Sequence, residues 1–481
     1  MQEPPLQQSA REKYKPLLLR ALRSFLLLIA AIPPLFVFIM MTGAAILVPY
    51  WDHCEIHRLF VHVHDGTFTP SMLWAPHNHA RPLTYRIVVL ATGLLTNWDI
   101  RAEYIYLYWS LIAAFAVLGR ALWHAAGGCK SLTFFAALAL LSILQFSPTG
   151  HNNHWWSIMM VLTFAHLFIA AGLSGIALQH DTWQGHVKAA IFCWLATYTL
   201  TNGLLAFFTC ALIAQLALKR PFRFQWQTFF WIFNIVLVLT LYLPGLHENI
   251  GTTDTPGIKD LIKFSLAYLG SPLAGLIRFP YVSFVEQPSV LKSNMAAGAF
   301  LLLAFGVAAV RWCGWLLERS KIALLVIGFT FFCLLSAVLT AYGRARFAGG
   351  LDNASASRYT LYSSYLLYAG LFWIVHWLSA LKYDADSRLR YVAPVGWALF
   401  FAFSAISARA FWCSIPVYKQ AYGYNKTITA TYIWKDIATA NDDKVYPDPA
   451  TVLEMRAQMR RLRLGPYRFA PPDSDGTLPP K

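Results

Sequence analysis

Two carboxylates stand three residues apart in Trp51-Asp52-His53-Cys54-Glu55, directly after a run from Ser24 to Val48 that carries no charge. On a helix that spacing puts both on one face. Asp52, one residue past an aromatic anchor, is the candidate proton acceptor, and Glu55 is near enough to share the task. The opposite charge is supplied by Arg344-Ala345-Arg346 and Ser357-Arg358-Tyr359. Arginine is the side chain suited to bidentate phosphate contact, so Arg344, Arg358 and the neighbouring Tyr359 are the candidate anion site. Asn78, His79 and Arg81 place amide, imidazole and guanidinium within four residues, and Asn153 with Trp155 offers hydrogen bonding beside an aromatic face. Both combinations suit hydroxyl and phosphate groups. Each motif also has an ordinary counterpart: a solvated loop acid, a helix cap at Asn78, an arginine at lipid headgroups, or an interfacial aromatic belt.

Histidines and cysteines point less sharply. His53, His57, His62, His64, His77 and His79 crowd one segment, yet their spacing matches neither HExxH nor a Cys/His cage. His62-Val63-His64 would put two rings on one face only if extended. Hydrogen-bonding histidines are favoured over a divalent metal, and no cofactor is expected. Of seven cysteines, only Cys54 and Cys413 are expected outside the membrane on an oxidising face, where one bridge could join the first loop to the tail.

These residues need a scaffold, and the composition says which. The 481-residue chain is 57% hydrophobic and only 13% charged, with a mean hydropathy of +0.47. A soluble domain carries roughly 25% charged residues. Uncharged runs recur at 24–49, 104–119, 131–149, 155–179, 189–218, 228–247, 294–310, 322–343, 361–381 and 391–408. The run 189–218 is too long for one crossing and is interrupted at Thr199, Thr201, Asn202 and Gly203, so two short helices joined by a turn are expected. The count is then about eleven crossings. Basic clusters at Arg120–Lys130, Lys219–Arg223, Arg311–Lys321 and Lys382–Arg390 fall together on the side of the basic N-terminus, which makes that side cytoplasmic. The net charge of +16 therefore reads as topology signal and lipid contact, not as a nucleic-acid surface.

The expected fold is all-α, a polytopic transmembrane helical bundle over residues 1–408, followed by an outer-face C-terminal segment, 409–481. Its helix over 451–464 precedes a Pro-rich, disordered end. Long outer loops are 49–103, with an apolar piece at 87–96 too short to span, and 247–294, with a helical stretch broken at Gly270-Ser271-Pro272. No internal repeat is visible.

Trp51-Asp52 after the first span, Asn78 and Arg81 before the second, Asn153 with Trp155 and Trp156, Thr201-Asn202-Gly203, Leu269–Leu273 and Ser357-Arg358-Tyr359 together resemble bacterial GT-C glycosyltransferases. Where such proteins carry Asn-Glu-His-Arg, this chain has Asn78-His79-Ala80-Arg81 and lacks the carboxylate. The resemblance implies inverting transfer from a polyprenyl-phosphate sugar to a glycan, lipid or protein acceptor at the extracytoplasmic face of a bacterial inner membrane. Asp52 would be the general base and Arg358, with Arg344, the phosphate site. A transporter or flippase of lipid-linked sugars, or a polysaccharide polymerase or ligase, is the competing reading. The first of these needs ionisable groups along the spans, which are nearly free of charge.

Overall fold

The apolar runs are helices in the computed structural model, which describes residues 5–78, 80–128, 131–218, 225–246, 256–276, 288–311, 314, 320–345, 350–380, 393–416, 422–429 and 448–468. The first run lies within α1 (Pro5–Ala44). Ala30, Pro33, Val37, Met41 and Ala44 are buried in it, at the three- and four-residue steps of one helix face. Pro34 has no N–H to give the carbonyl of Ala30, four residues back, and the Ser142 hydroxyl donates to that carbonyl instead, at 2.7 Å. A prolyl break inside a membrane helix is thus closed by a neighbouring helix.

The first loop folds as α2 (Cys54–His64), α3 (Ser71–Trp74) and α4 (Leu83–Thr96). At 14 residues α4 is about 21 Å long, short of a crossing. His62 and His64 sit on α2, so the extended reading of that pair does not hold: the helix turns the two rings apart. The bundle continues through α5 (Ile100–Ala125), α6 (Leu132–Gln145), the short α7 (Asn152–Trp155) and α8 (Met160–Gln179). The overlong run divides as expected into α9 (Trp183–Thr197) and α10 (Leu204–Ala217) around a turn at Thr201–Gly203. Gly203 is required there, because a Cβ would lie 2.1 Å from the carbonyl carbon of Ala196.

Next come α11 (Trp226–Tyr242), α12 (Ile258–Gly270), α13 (Pro288–Arg311), α14 (Lys321–Arg344), α15 (Thr360–Ala380) and α16 (Ala393–Ser414). The last span thus runs to Ser414, through the expected boundary at 408. Helices α12 and α13 touch backbone to backbone: a Cβ on Gly298 would fall 1.9 Å from the carbonyl oxygen of Leu266, and one on Gly270 2.0 Å from that of Asn294. Seven helices among the described residues are long and apolar enough to cross a membrane. The chain is an all-α helical bundle built for a bilayer. Its centre is α8 and α14, 72% and 61% buried over their apolar windows, whereas α13, at 11%, lies at the rim.

The C-terminal helix α17 (Pro449–Leu462) is capped by Asp448, whose carboxylate accepts from the N–H groups of Ala450 and Thr451 at 3.1 and 3.3 Å. It lies on the first loop, where Arg461 pairs with Asp65 at 3.1 Å, the N–H of Gly465 donates to the carbonyl of Asn97, and Arg468 reaches Asp99 at 3.0 Å. The tail beyond residue 468 lies outside the described residues. Cys54 and Cys413 are both free and buried, so the bridge considered between them is not formed.

Candidate functional site

The chain leaves α1 through Trp51, whose φ of +47° is unusual for a bulky side chain. That turn opens a short helical segment, Trp51–His53, that runs into α2, and Asp52 and Glu55 emerge one turn apart on the same side. Below them Glu103 anchors the segment. It is buried with His53 at 3.0 Å and accepts from the indole N–H of Trp98 at 3.0 Å. A tight turn, closed by the reciprocal backbone bonds of His77 and Ala80 and reversed by Asn78 at φ +51°, presents His77 between the two acids. Its Nδ1 is 3.4 Å from Glu55 Oε2 and its Nε2 is 3.9 Å from Asp52 Oδ2.

Asp52, Glu55, His77 and Asn78 line a cavity of about 380 Å³ with Arg344 at the end of α14 and Arg358 and Tyr359 at the start of α15. Arg358 stacks over the Tyr359 ring at 5.3 Å. One face of the cavity is apolar: Ile158 just before α8, Val161 and Leu162 of α8, Leu200 at the α9–α10 break, Leu243 beyond α11 and Leu339 of α14. Burial pushes the Asp52 carboxyl up, but the His77 contact and the charges of His77, Arg358 and Arg344 outweigh it and hold the acid below its ordinary range. Glu55 is lowered by its bond to His77 against a smaller opposing effect of burial. Burial alone would lower His77; the two carboxylates instead raise it to about 9. At neutral pH the site is therefore an imidazolium between two carboxylates, in a cavity lined also by the guanidinium groups of Arg86, Arg344 and Arg358.

The other candidates are placed elsewhere. Arg81 is buried and does not line the cavity; its guanidinium donates to the carbonyls of Tyr242 at 2.9 Å, Trp74 at 2.8 Å and Pro244. It ties the first loop to the end of α11, and the arginine of this segment that lines the cavity is Arg86, one turn into α4. Asn153 and Trp155 are also buried outside the lining. Asn153 donates to the carbonyl of Ser357 at 3.3 Å, and the N–H of Asn152 to the Ser357 hydroxyl at 3.4 Å, so this turn positions Arg358. The Trp155 carbonyl accepts from Tyr104 and from the N–H of Ile46, an aromatic belt residue locked by its backbone. Asn78 caps no helix, since the residue before α4 is Pro82. His79 and Arg346 lie outside the described residues.

Burial lowers His57 to about 4, with Arg58 adding to the effect, and lowers His151 and His154 to about 3. No group of three His, Cys, Asp or Glu that could hold a metal stands among the described residues. Tyr85, Arg86, Thr340 and Tyr342 line the cavity without a distinguishing sequence pattern. Only the charge of Arg86 within an otherwise apolar helix hinted at its position. Compared with protein-family models, curated proteins and solved structures, the chain shows no significant match, so function is argued from this cavity.

Proposed function

We propose that the protein is a membrane glycosyltransferase that moves a sugar from a polyprenyl-phosphate donor to an acceptor hydroxyl at the extracytoplasmic face. One observation carries this reading: an acidic pair and the arginines Arg344 and Arg358 share one cavity that also has a broad apolar face. The arginines supply donors for a phosphate, the apolar wall takes the first isoprene units, and the acids meet an acceptor. In an inverting displacement the acceptor oxygen bonds to the anomeric carbon as the carbon–oxygen bond to phosphate breaks. Asp52 takes the acceptor proton, Glu55 and His77 hold Asp52 in place, and polyprenyl phosphate leaves against Arg344 and Arg358.

Eleven crossings, the N-terminus in the cytoplasm of a bacterial cell and α17 outside its inner membrane, complete the proposal. It is supported by the placement of the cavity at the C-terminal ends of α1, α11 and α14 and the N-terminal ends of α8 and α15, as alternating crossings require. The test supplies membranes containing the protein with radiolabelled polyprenyl-phosphate sugar. Label should pass to an acceptor, and Asp52→Asn should lower the rate at least about 100-fold while the protein still inserts. Label that crosses vesicles unaltered, or full activity in Asp52→Asn, would refute the assignment.

A further inference from the structure

Two hydroxyls at the cavity have no place in the proton transfer or the phosphate site. Tyr85 and Tyr359 both line it, and both phenolic oxygens are buried without a hydrogen-bond partner among the described residues. Such groups are rare in folded proteins, because a buried donor that loses water and gains nothing is destabilising. They stand on different walls: Tyr85 on α4, within electrostatic reach of Asp52, and Tyr359 beneath Arg358. The break after α9 contributes Asn202 to the same cavity. Its amide nitrogen donates to Ser336 at 2.6 Å, and Ser336 also shares a hydrogen bond with Tyr268 at 2.7 Å. With the nitrogen so engaged, the carbonyl oxygen is what Asn202 offers a ligand. Thr340, 3.4 Å from the same amide, completes the polar floor.

We infer that Tyr85, Asn202, Thr340 and Tyr359 form the glycosyl subsite of the cavity, two hydroxyl donors and an amide acceptor set between the base and the phosphate site. The inference rests on the proposed donor being a sugar phosphate and adds which residues read the sugar. A group held in the cavity that Asp52 and Arg358 line meets these residues in the same wall, and only one rich in hydroxyls would satisfy two tyrosines, a threonine and an amide together. Aromatic rings bearing hydroxyls suit a pyranose or furanose, which presents apolar C–H faces and polar edges. The volume of about 380 Å³ falls within the range of small-molecule sites, roughly 300–1,000 Å³.

The test uses the full-length protein in detergent with two kinds of probe: undecaprenyl phosphate, and undecaprenyl phosphate esterified to glucose, mannose or arabinose. Wild type should bind one glycosylated lipid about tenfold or more above the bare phosphate. Tyr85→Phe and Tyr359→Phe should each remove about five- to tenfold of that affinity and leave the bare lipid unchanged, the size of one lost hydrogen bond. Since neither hydroxyl has a partner in the folded protein, melting temperatures should not fall; a clear drop would overturn the premise. Parallel loss of bare-phosphate affinity would assign the hydroxyls to the phosphate, and unchanged glycosyl-lipid affinity would remove them from the site. Wild type that binds bare and glycosylated lipid alike would sink this subsite alone. Wild type that binds neither would sink the donor assignment with it.

Discussion

His77 is the residue whose perturbation bears most directly on the electrostatics of the cavity. Its imidazole is raised from 6.5 to about 9 by Asp52 and Glu55, a preference for the protonated folded state of about 3 kcal/mol at full weight. The ring is only 20% exposed, but the carboxylates are 47% and 43% exposed, so solvent and salt screen the pair and about 1–2 kcal/mol is the expected contribution. The sign follows from the direction of the shift. A group raised on folding stabilises fully below the unfolded value near 6.5, and the contribution disappears as pH climbs through about 9. Thermal melts of the purified protein should thus show a decline between pH 6.5 and 9 that His77→Gln lacks, with the variant less stable at pH 6. Carbon-13 NMR of ring-labelled histidine, compared with the same variant, should assign one resonance titrating well above 7 to His77. A His77 midpoint at or below 6.5 would refute the bridged arrangement and the lowered Asp52 that depends on it.

Arg81→Ala should cost about 2–5 kcal/mol and sharply reduce the yield of folded protein, because three carbonyls lose a charged donor; an unchanged melting temperature would show that the clamp does not hold the loop. His53→Ala removes the imidazole that contacts buried Glu103 at 3.0 Å and should destabilise by about 1–3 kcal/mol, which denaturation of the purified variant can measure. Glu103→Gln, which retains hydrogen-bonding capacity, should be milder. Gly298→Ala puts a methyl group against the backbone of α12 and should separate the helix pair; a cysteine cross-link between the two helices that forms as fast as in the parent would contradict the close approach.

The all-α bundle was legible because lipid enforces it. Long uncharged runs must close their own backbone hydrogen bonds, so α8, α13 and α14 are visible as composition alone, and the division of 189–218 at Thr201-Asn202-Gly203 follows from length and a glycine. The acidic pair was legible too, since three-residue spacing after an aromatic residue survives as one face of a turn. What sequence could not decide was which polar residues share a space. Arg81 and Arg86 have the same charge, lie five residues apart and both donate to backbone carbonyls, yet only Arg86 lines the cavity. His77 becomes a cation because Asp52 and Glu55 are brought to it from 25 and 22 residues back along the chain, an effect of distance that no local pattern encodes. Asn153 resembled a ligand contact in its motif and acts instead on the backbone of Ser357, some two hundred positions later. Hydrophobicity is summed along the chain, so sequence fixes where helices form. Coulombic and hydrogen-bond partners depend on separation in space, and only the packed helices bring Asp52 and Arg358 to one cavity.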